Sequence, residues 1–120
     1  GGFFLAGSND GTDIVPICQD LARMGYVVAS ISYRLGIDNF FDLATSLQEA
    51  AMRGVQDAKA AIRFFRKTHA VEGNPWGIDP TRIVLGGSSA GGFIALHAAY
   101  IDNLGEIPPS VDLTANGLNG

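Results

Sequence analysis

Apolar residues along the chain follow two patterns, short continuous runs and stripes with helical spacing. The runs at 26–31 and 83–85 are rich in β-branched residues. Such runs are typical of strands that are buried on both faces of a parallel sheet. The pattern therefore predicts two buried strands.

A helix is predicted before the first of these runs. Thr12 or Asp13 is expected to cap it, and Gly25 is expected to end it. Its apolar positions recur at helical spacing and should form one packed face. They are Ile17, Leu21 and Met24.

A longer helix is predicted between the two runs. Ser46 and Glu49 have the spacing of a capping box, and the helical pattern continues to about His69. Arg53 and Asp57 are four residues apart and are interpreted as a surface or interhelix ion pair. The apolar stripe comprises Leu47, Ala51, Val55, Ala58, Ile62 and Phe65.

The order of these elements predicts the fold class. A further helix at 93–100 is apolar on most sides and is expected to be buried. Strand, helix, strand and helix in succession predict an α/β fold, a parallel sheet with flanking helices. Two strands cannot cover these helices, and residues 113–120 read as loop. We therefore expect residues 1–120 to be an incomplete part of a single domain, truncated at both ends.

Composition excludes several classes of function. The 120 residues are 47% hydrophobic and carry a net charge of −4. Without a basic run, the chain is a poor ligand for nucleic acid or an anionic membrane surface. No apolar run has the ~18 residues of a membrane span. Cys18 is the single cysteine, so no internal disulfide can form.

The chemistry is predicted at the turn after the second apolar run. Residues 87–91 match G-x-S-x-G, between a predicted strand and a predicted helix. There Ser89 would be a nucleophile at a sharp turn, where Gly87 and Gly91 keep the backbones close. The amide of Ala90, at the helix N-terminus, could stabilise an oxyanion. Ser88 precedes the nucleophile, and its side chain should point away.

Other interpretations of this turn are weaker. A glycine-rich turn in which the serine caps the helix is the simplest alternative. The chain contains neither G-x-x-x-x-G-K-[ST] nor G-x-G-x-x-G, which excludes these two phosphate-binding loops. No metal ligands are assigned in the sequence.

Several further motifs occur in a fixed order along the chain. They are Gly1-Gly2-Phe3, residues 32–36, Gln56-Asp57, residues 77–83 and residues 87–92. Together they resemble the α/β-hydrolase superfamily in its carboxylesterase and lipase branch. The resemblance implies hydrolysis of small-molecule carboxylic esters without a cofactor. It implies that Ser89 is the nucleophile and that the amides of Gly1, Gly2 and Ala90 form the oxyanion hole.

The acid and the histidine of a hydrolase triad are not assigned. His97 lies on the helix that follows Ser89, ~12 Å further along its axis, and is interpreted as a packing residue. His69 precedes the serine. Asp102, Glu106 and Asp112 have no histidine to orient. The acid and base are expected beyond Gly120, so the isolated chain should lack esterase turnover.

Two alternatives remain open at the level of sequence. The same turn could serve a serine peptidase or an acyltransferase, or the chain could be an inactive, hydrolase-like binding module. Phe40-Phe41 follows a predicted strand and could bind an acyl group. Compartment and oligomeric state are not predicted.

Overall fold

The computed structural model of the protein describes residues 2–111, and its regular elements are helices. Helix α1 spans Val15–Arg23, α2 spans Leu43–Val71 and α3 spans Ala90–Tyr100. Short 3-10 turns lie at Gly2–Phe4, Phe40–Asp42 and Leu104–Glu106. The predictions for Gly1, for Asp112 and for the loop at 113–120 lie outside the described residues.

The predicted α/β fold is wrong for the described residues, because none of them forms a strand. The segments 26–31 and 83–85 are irregular. A strand requires a ladder of hydrogen bonds to a neighbouring backbone, and no such ladder forms within residues 2–111. Val27 and Val84 are 56% and 86% exposed, so the expected burial on both faces is also wrong.

Helix α1 is confirmed, but its predicted cap is wrong. It begins at Val15 after Ile14, which makes no side-chain cap, and Pro16 lies in its first turn. Proline suits this position because the first N–H groups of a helix have no partner within it. No residue of α1 is buried. The predicted apolar stripe is therefore not packed against other described residues.

Helix α2 begins earlier than predicted. The Asp42 carboxylate accepts a hydrogen bond from the Thr45 N–H at 3.3 Å, and Leu43 is the first helical residue. Ser46 is inside the helix and buried. Its hydroxyl accepts from the Asn39 N–H at 3.0 Å and lies 3.1 Å from the Asn39 carbonyl. The predicted capping box is therefore wrong, because Ser46 instead fixes the preceding turn.

The core lies where α3 crosses the middle of α2. Small residues on α2 allow this close approach, and Gly54 contacts the side chain of Ile94. The fully buried positions of α2 include Ala50, Val55 and Ala58. Helix α3 buries only Ala90 and Ile94, so its predicted burial on most sides is wrong within the described residues.

Charged groups attach residues 34–38 to α2. Arg34 Nε lies 3.0 Å from Asp57 Oδ1, and Arg53 Nη1 lies 2.7 Å from Asp38 Oδ2. Arg34 also donates to the fully buried Gln56 Oε1 at 3.0 Å. Arg53 and Asp57, which are predicted to form a surface or interhelix ion pair, each bind a partner outside α2 instead.

A tight turn precedes residues 83–85. The Asp79 carboxylate accepts from the Thr81 hydroxyl at 2.6 Å and from the Thr81 N–H at 2.9 Å. The side-chain hydrogen bond, followed by the backbone one, lowers the pKa of Asp79 below its ordinary value. The turn therefore favours the ionised carboxylate.

Thr81→Val is expected to raise the pKa of Asp79 toward its ordinary value, because the hydroxyl donor is lost. A carboxyl pKa that is lowered on folding adds stability above its unfolded pKa, and acidification through the folded pKa removes that stability. The variant should therefore weaken the dependence of stability on pH in the acidic range. An NMR titration of the Asp79 side-chain carbon measures the change. Thr81→Ser keeps the donor and should keep the lowered pKa; an equal rise in both variants would contradict the assignment.

Candidate active site

Ser89 has an unusual backbone conformation at the start of α3. Its φ is 53° and its ψ is −118°, a region that residues with a side chain rarely adopt. Ser89 occupies the N-cap position, yet its hydroxyl makes no capping hydrogen bond. The alternative in which this serine serves as a helix cap is therefore wrong. The residue is exposed to solvent.

The glycines around Ser89 allow two stretches of backbone to meet. A Cβ on Gly87 would overlap the carbonyl carbon of Gly91 and lie 2.8 Å from its Cα. A Cβ on Gly92 would lie 3.1 Å from the Gly87 carbonyl oxygen. A Cβ on Gly91 would meet no described atom within 4 Å. The steric demand for glycine is thus strongest at Gly87.

One backbone amide of the turn, the N–H of Ala90, donates to no backbone carbonyl of the described residues. The Gly91 N–H donates to the Ser88 carbonyl at 2.9 Å, and the Phe93 N–H donates to the Ser89 carbonyl at 3.1 Å. Because Ala90 is the first residue of α3, its N–H adds to the positive end of the helix dipole.

The glycine-rich start of the chain lies beside this turn. Gly2, Phe3 and Phe4 have φ values of 58°, 52° and 65°. The Phe4 ring is buried and meets the Phe93 ring edge to face, with the ring centroids 6.4 Å apart. The structure therefore brings the segment after Gly2 to α3. Gly1, the other candidate, is outside the described residues.

A cavity of about 550 Å³ opens next to Ser89. Its walls are mainly apolar and come from the Gly2–Phe4 turn, the first half of α2, α3 and the segment that follows α3. The lining residues are Phe3, Phe4, Leu47, Gln48, Ala51, Met52, Ser89, Ala90, Phe93, His97, Ile101, Glu106 and Pro108. The helical stripe predicted Leu47 and Ala51 as core positions. No sequence signal placed the α2 residues near Ser89, because that requires the packing of α2 on α3.

Two other sequence candidates have different surroundings. Phe40 and Phe41 are 68% and 104% exposed, and neither lines this cavity. His97 does line it, and its ring stacks on Phe93 with the centroids 4.0 Å apart. Its Nδ1 lies 2.9 Å from the Phe93 carbonyl oxygen. Both contacts are with Phe93 of the same helix, so the packing role of His97 stays a prediction.

The part of the chain that the structure describes has neither a metal-binding cluster nor a membrane-spanning helix. Within residues 2–111, no group of three or more His, Cys, Asp or Glu side chains could hold a metal ion. None of the described helices is both long enough and apolar enough to cross a membrane.

Comparisons with known proteins identify the family of the chain. The family model BD-FAE matches residues 1–117. The chain is also similar to mouse carboxylesterase 3B, with 37% identity over 97 residues, which cover 78% of this chain. The match spans 15% of the length of that relative. No solved structure matches significantly.

Proposed function

Since the chain belongs to the BD-FAE family, which is α/β-hydrolase-like, we propose that it carries the nucleophile of a carboxylic ester hydrolase. Ser89 is the nucleophile. Gly87, Ser88 and Gly91 form the sharp turn that presents it, and the N–H groups of Ala90, Gly2 and Gly1 form the oxyanion hole.

The reaction would proceed through an acyl-enzyme. A general base removes the Ser89 proton as the oxygen attacks the ester carbonyl carbon. The negative charge that develops on the carbonyl oxygen is stabilised by the Ala90 N–H and by the N–H groups at the start of the chain. The alcohol leaves with a proton, and water then attacks the acyl-enzyme and releases the acid.

The backbone of Ser89 is the observation that carries this proposal. A non-glycine residue at φ 53° and ψ −118° costs on the order of 1–3 kcal/mol and persists only where its surroundings impose it. Such strain clusters at functional sites. Here it exposes a hydroxyl that caps no helix, at the edge of a cavity. A structural serine at this position would need neither the strain nor the exposure.

The cavity beside Ser89 suits one substituent of an ester. Its volume of about 550 Å³ is within the usual range for small-molecule sites. The apolar walls favour a hydrocarbon group. Only one ionisable carboxylate, that of Glu106, is among the described lining residues.

We further propose that residues 1–120 are one part of a single hydrolase domain. The mouse relative is several times longer than the chain, since the matched stretch spans 15% of it. Apolar side chains that are exposed among the described residues, such as Met24 at 73% and Tyr100 at 78%, would be covered by the rest of such a domain. In this proposal the acid and histidine that activate Ser89 belong to that remainder.

Covalent labelling tests the proposed nucleophile. In the full-length protein that contains these residues, a fluorophosphonate should attach to Ser89 and abolish esterase activity. Ser89→Ala should lose both labelling and ester hydrolysis, by about 10³-fold or more in kcat. Mass spectrometry of the labelled peptide locates the probe. Ser88→Ala distinguishes the two serines, because labelling that persists in Ser89→Ala and disappears in Ser88→Ala would reject the assignment. The 120-residue chain alone should show no turnover of a nitrophenyl ester.

A further inference from the structure

Gly36 joins two parts of the molecule through its own backbone. Its N–H donates to the Phe4 carbonyl at 2.9 Å, and its carbonyl accepts from Arg53 Nη2 at 2.7 Å. Its φ of 131° belongs to the region that favours glycine. One peptide segment therefore connects α2 to the Gly2–Phe4 turn.

The turn at the other end of this connection is strained. Phe3 and Phe4 are both in the left-handed region, which is unfavourable for residues with a side chain. Such a conformation persists only if its surroundings fix it. The Phe4 side chain provides part of that restraint through edge-to-face contacts with Tyr33 and Phe93. The Gly36 N–H provides the restraint on the Phe4 backbone.

Arg53 is well placed to hold Gly36. Its side chain is only 23% exposed, and Nη1 is fixed by Asp38 at 2.7 Å while Nη2 contacts the Gly36 carbonyl. The planar guanidinium lets one side chain bind both acceptors in a fixed geometry, which a lysine ammonium cannot reproduce. Arg53 is not among the residues that line the cavity beside Ser89, so it does not contact a substrate there.

We propose that Arg53 is a positioning residue for the oxyanion hole, acting through Gly36 on the strained Gly2–Phe4 turn. This inference rests on the proposed function, because it concerns the N–H groups assigned above to the oxyanion. If Arg53 is removed, the Gly36 carbonyl loses its donor and the Phe4 backbone loses a fixed partner. The turn can then relax, and the Gly2 N–H moves away from the position that the oxyanion requires.

Replacing Arg53 should lower kcat. Oxyanion donors act mainly on the transition state, and loss of one typically lowers kcat by about 10²–10³-fold. A displaced donor should cost less, about 10–100-fold in kcat. KM should change little, because the cavity wall stays intact. A purely structural role would instead lower the unfolding temperature without lowering kcat at temperatures where the protein is folded.

The test compares Arg53→Met and Arg53→Lys with Lys67→Met in the full-length protein. Lys67 is on the same helix, and its side chain is 70% exposed. Arg53→Met should lower kcat by about 10–100-fold, Arg53→Lys should recover part of that loss, and Lys67→Met should match the unmodified protein. Circular dichroism confirms that each variant is folded at the assay temperature, and Arg53→Lys supplies the comparison if Arg53→Met does not fold.

Two results separate this inference from the proposed function. If Ser89→Ala abolishes activity but both Arg53 variants keep kcat within about twofold of Lys67→Met, the positioning role is rejected and the nucleophile stands. If Ser89→Ala retains activity, the proposed function itself is rejected. A change in KM without a change in kcat in the Arg53 variants would also overturn the positioning role.

Discussion

Gly87→Ala is expected to abolish covalent labelling of Ser89 and to lower the free energy of unfolding by about 3 kcal/mol. The new methyl group would overlap the Gly91 carbonyl carbon and lie 2.8 Å from the Gly91 Cα. Both atoms are backbone, so no side chain can rotate to relieve the contact. The turn has to open, and Ser89 then loses the conformation that presents its hydroxyl.

Gly91→Ala provides the matched control for this experiment. A Cβ at Gly91 meets no described atom within 4 Å, and Gly91 lies in the first turn of α3. Because alanine favours a helix over glycine by about 1 kcal/mol, this variant should be as stable as the parent or slightly more stable. Chemical denaturation measures both variants, and a fluorophosphonate measures labelling in the full-length protein. Similar losses of stability in the two variants would contradict the steric argument.

Helix α2 could be predicted from the sequence, whereas its start could not. Its apolar stripe continues along most of its 29 residues. A helical period sustained over that length is not compatible with a strand or a loop. Asp42 and Ser46 are both good capping residues. The choice between them depends on the contact of Ser46 with Asn39, which belongs to the folded turn. Local preference alone gives no such information.

The strands could not be predicted for a different physical reason. The apolar run at 26–31 indicates a tendency toward burial, but a strand exists only where a second backbone completes its hydrogen bonds. That partner is a property of the assembled sheet and cannot be read from the run itself. Within residues 2–111 no such partner is present, and Tyr26 and Val27 remain exposed.

The turn around Ser89 could be predicted from the sequence, whereas the walls of the cavity beside it could not. The G-x-S-x-G pattern predicted the close approach at Gly87, because that constraint arises from neighbouring residues. The cavity combines residues near positions 3, 50, 90 and 106. Its existence depends on how α3 packs against α2. The link from Arg53 through Gly36 to Phe4 likewise joins residues that are far apart in the sequence.

Gly54 carries the second large expected effect, at the crossing of α2 and α3. A Cβ there would overlap Cδ1 of Ile94 and lie 2.8 Å from its Cγ1. Ile94 is only 4% exposed, so its side chain has little room to rotate. Gly54→Val should lower the free energy of unfolding by about 3 kcal/mol, since overpacking outweighs the gain of about 0.5 kcal/mol from replacing glycine in a helix. Ala44→Val, at an exposed position of α2, controls for a β-branched residue in this helix and should cost about 0.6 kcal/mol.

A double-mutant cycle identifies Ile94 as the cause. Gly54→Ala alone should cost about 1–2 kcal/mol, and Ile94→Val alone about 1 kcal/mol for the lost methyl group. Valine lacks the Cδ1 that the new alanine would overlap most closely, so Ile94→Val removes the larger part of the clash and leaves the contact with Cγ1. The double variant should therefore be more stable than the sum of the single effects by about 1 kcal/mol, as measured by urea denaturation. Additive effects would mean that the cost of the new methyl group does not come from its overlap with Cδ1 of Ile94, and would contradict the steric argument.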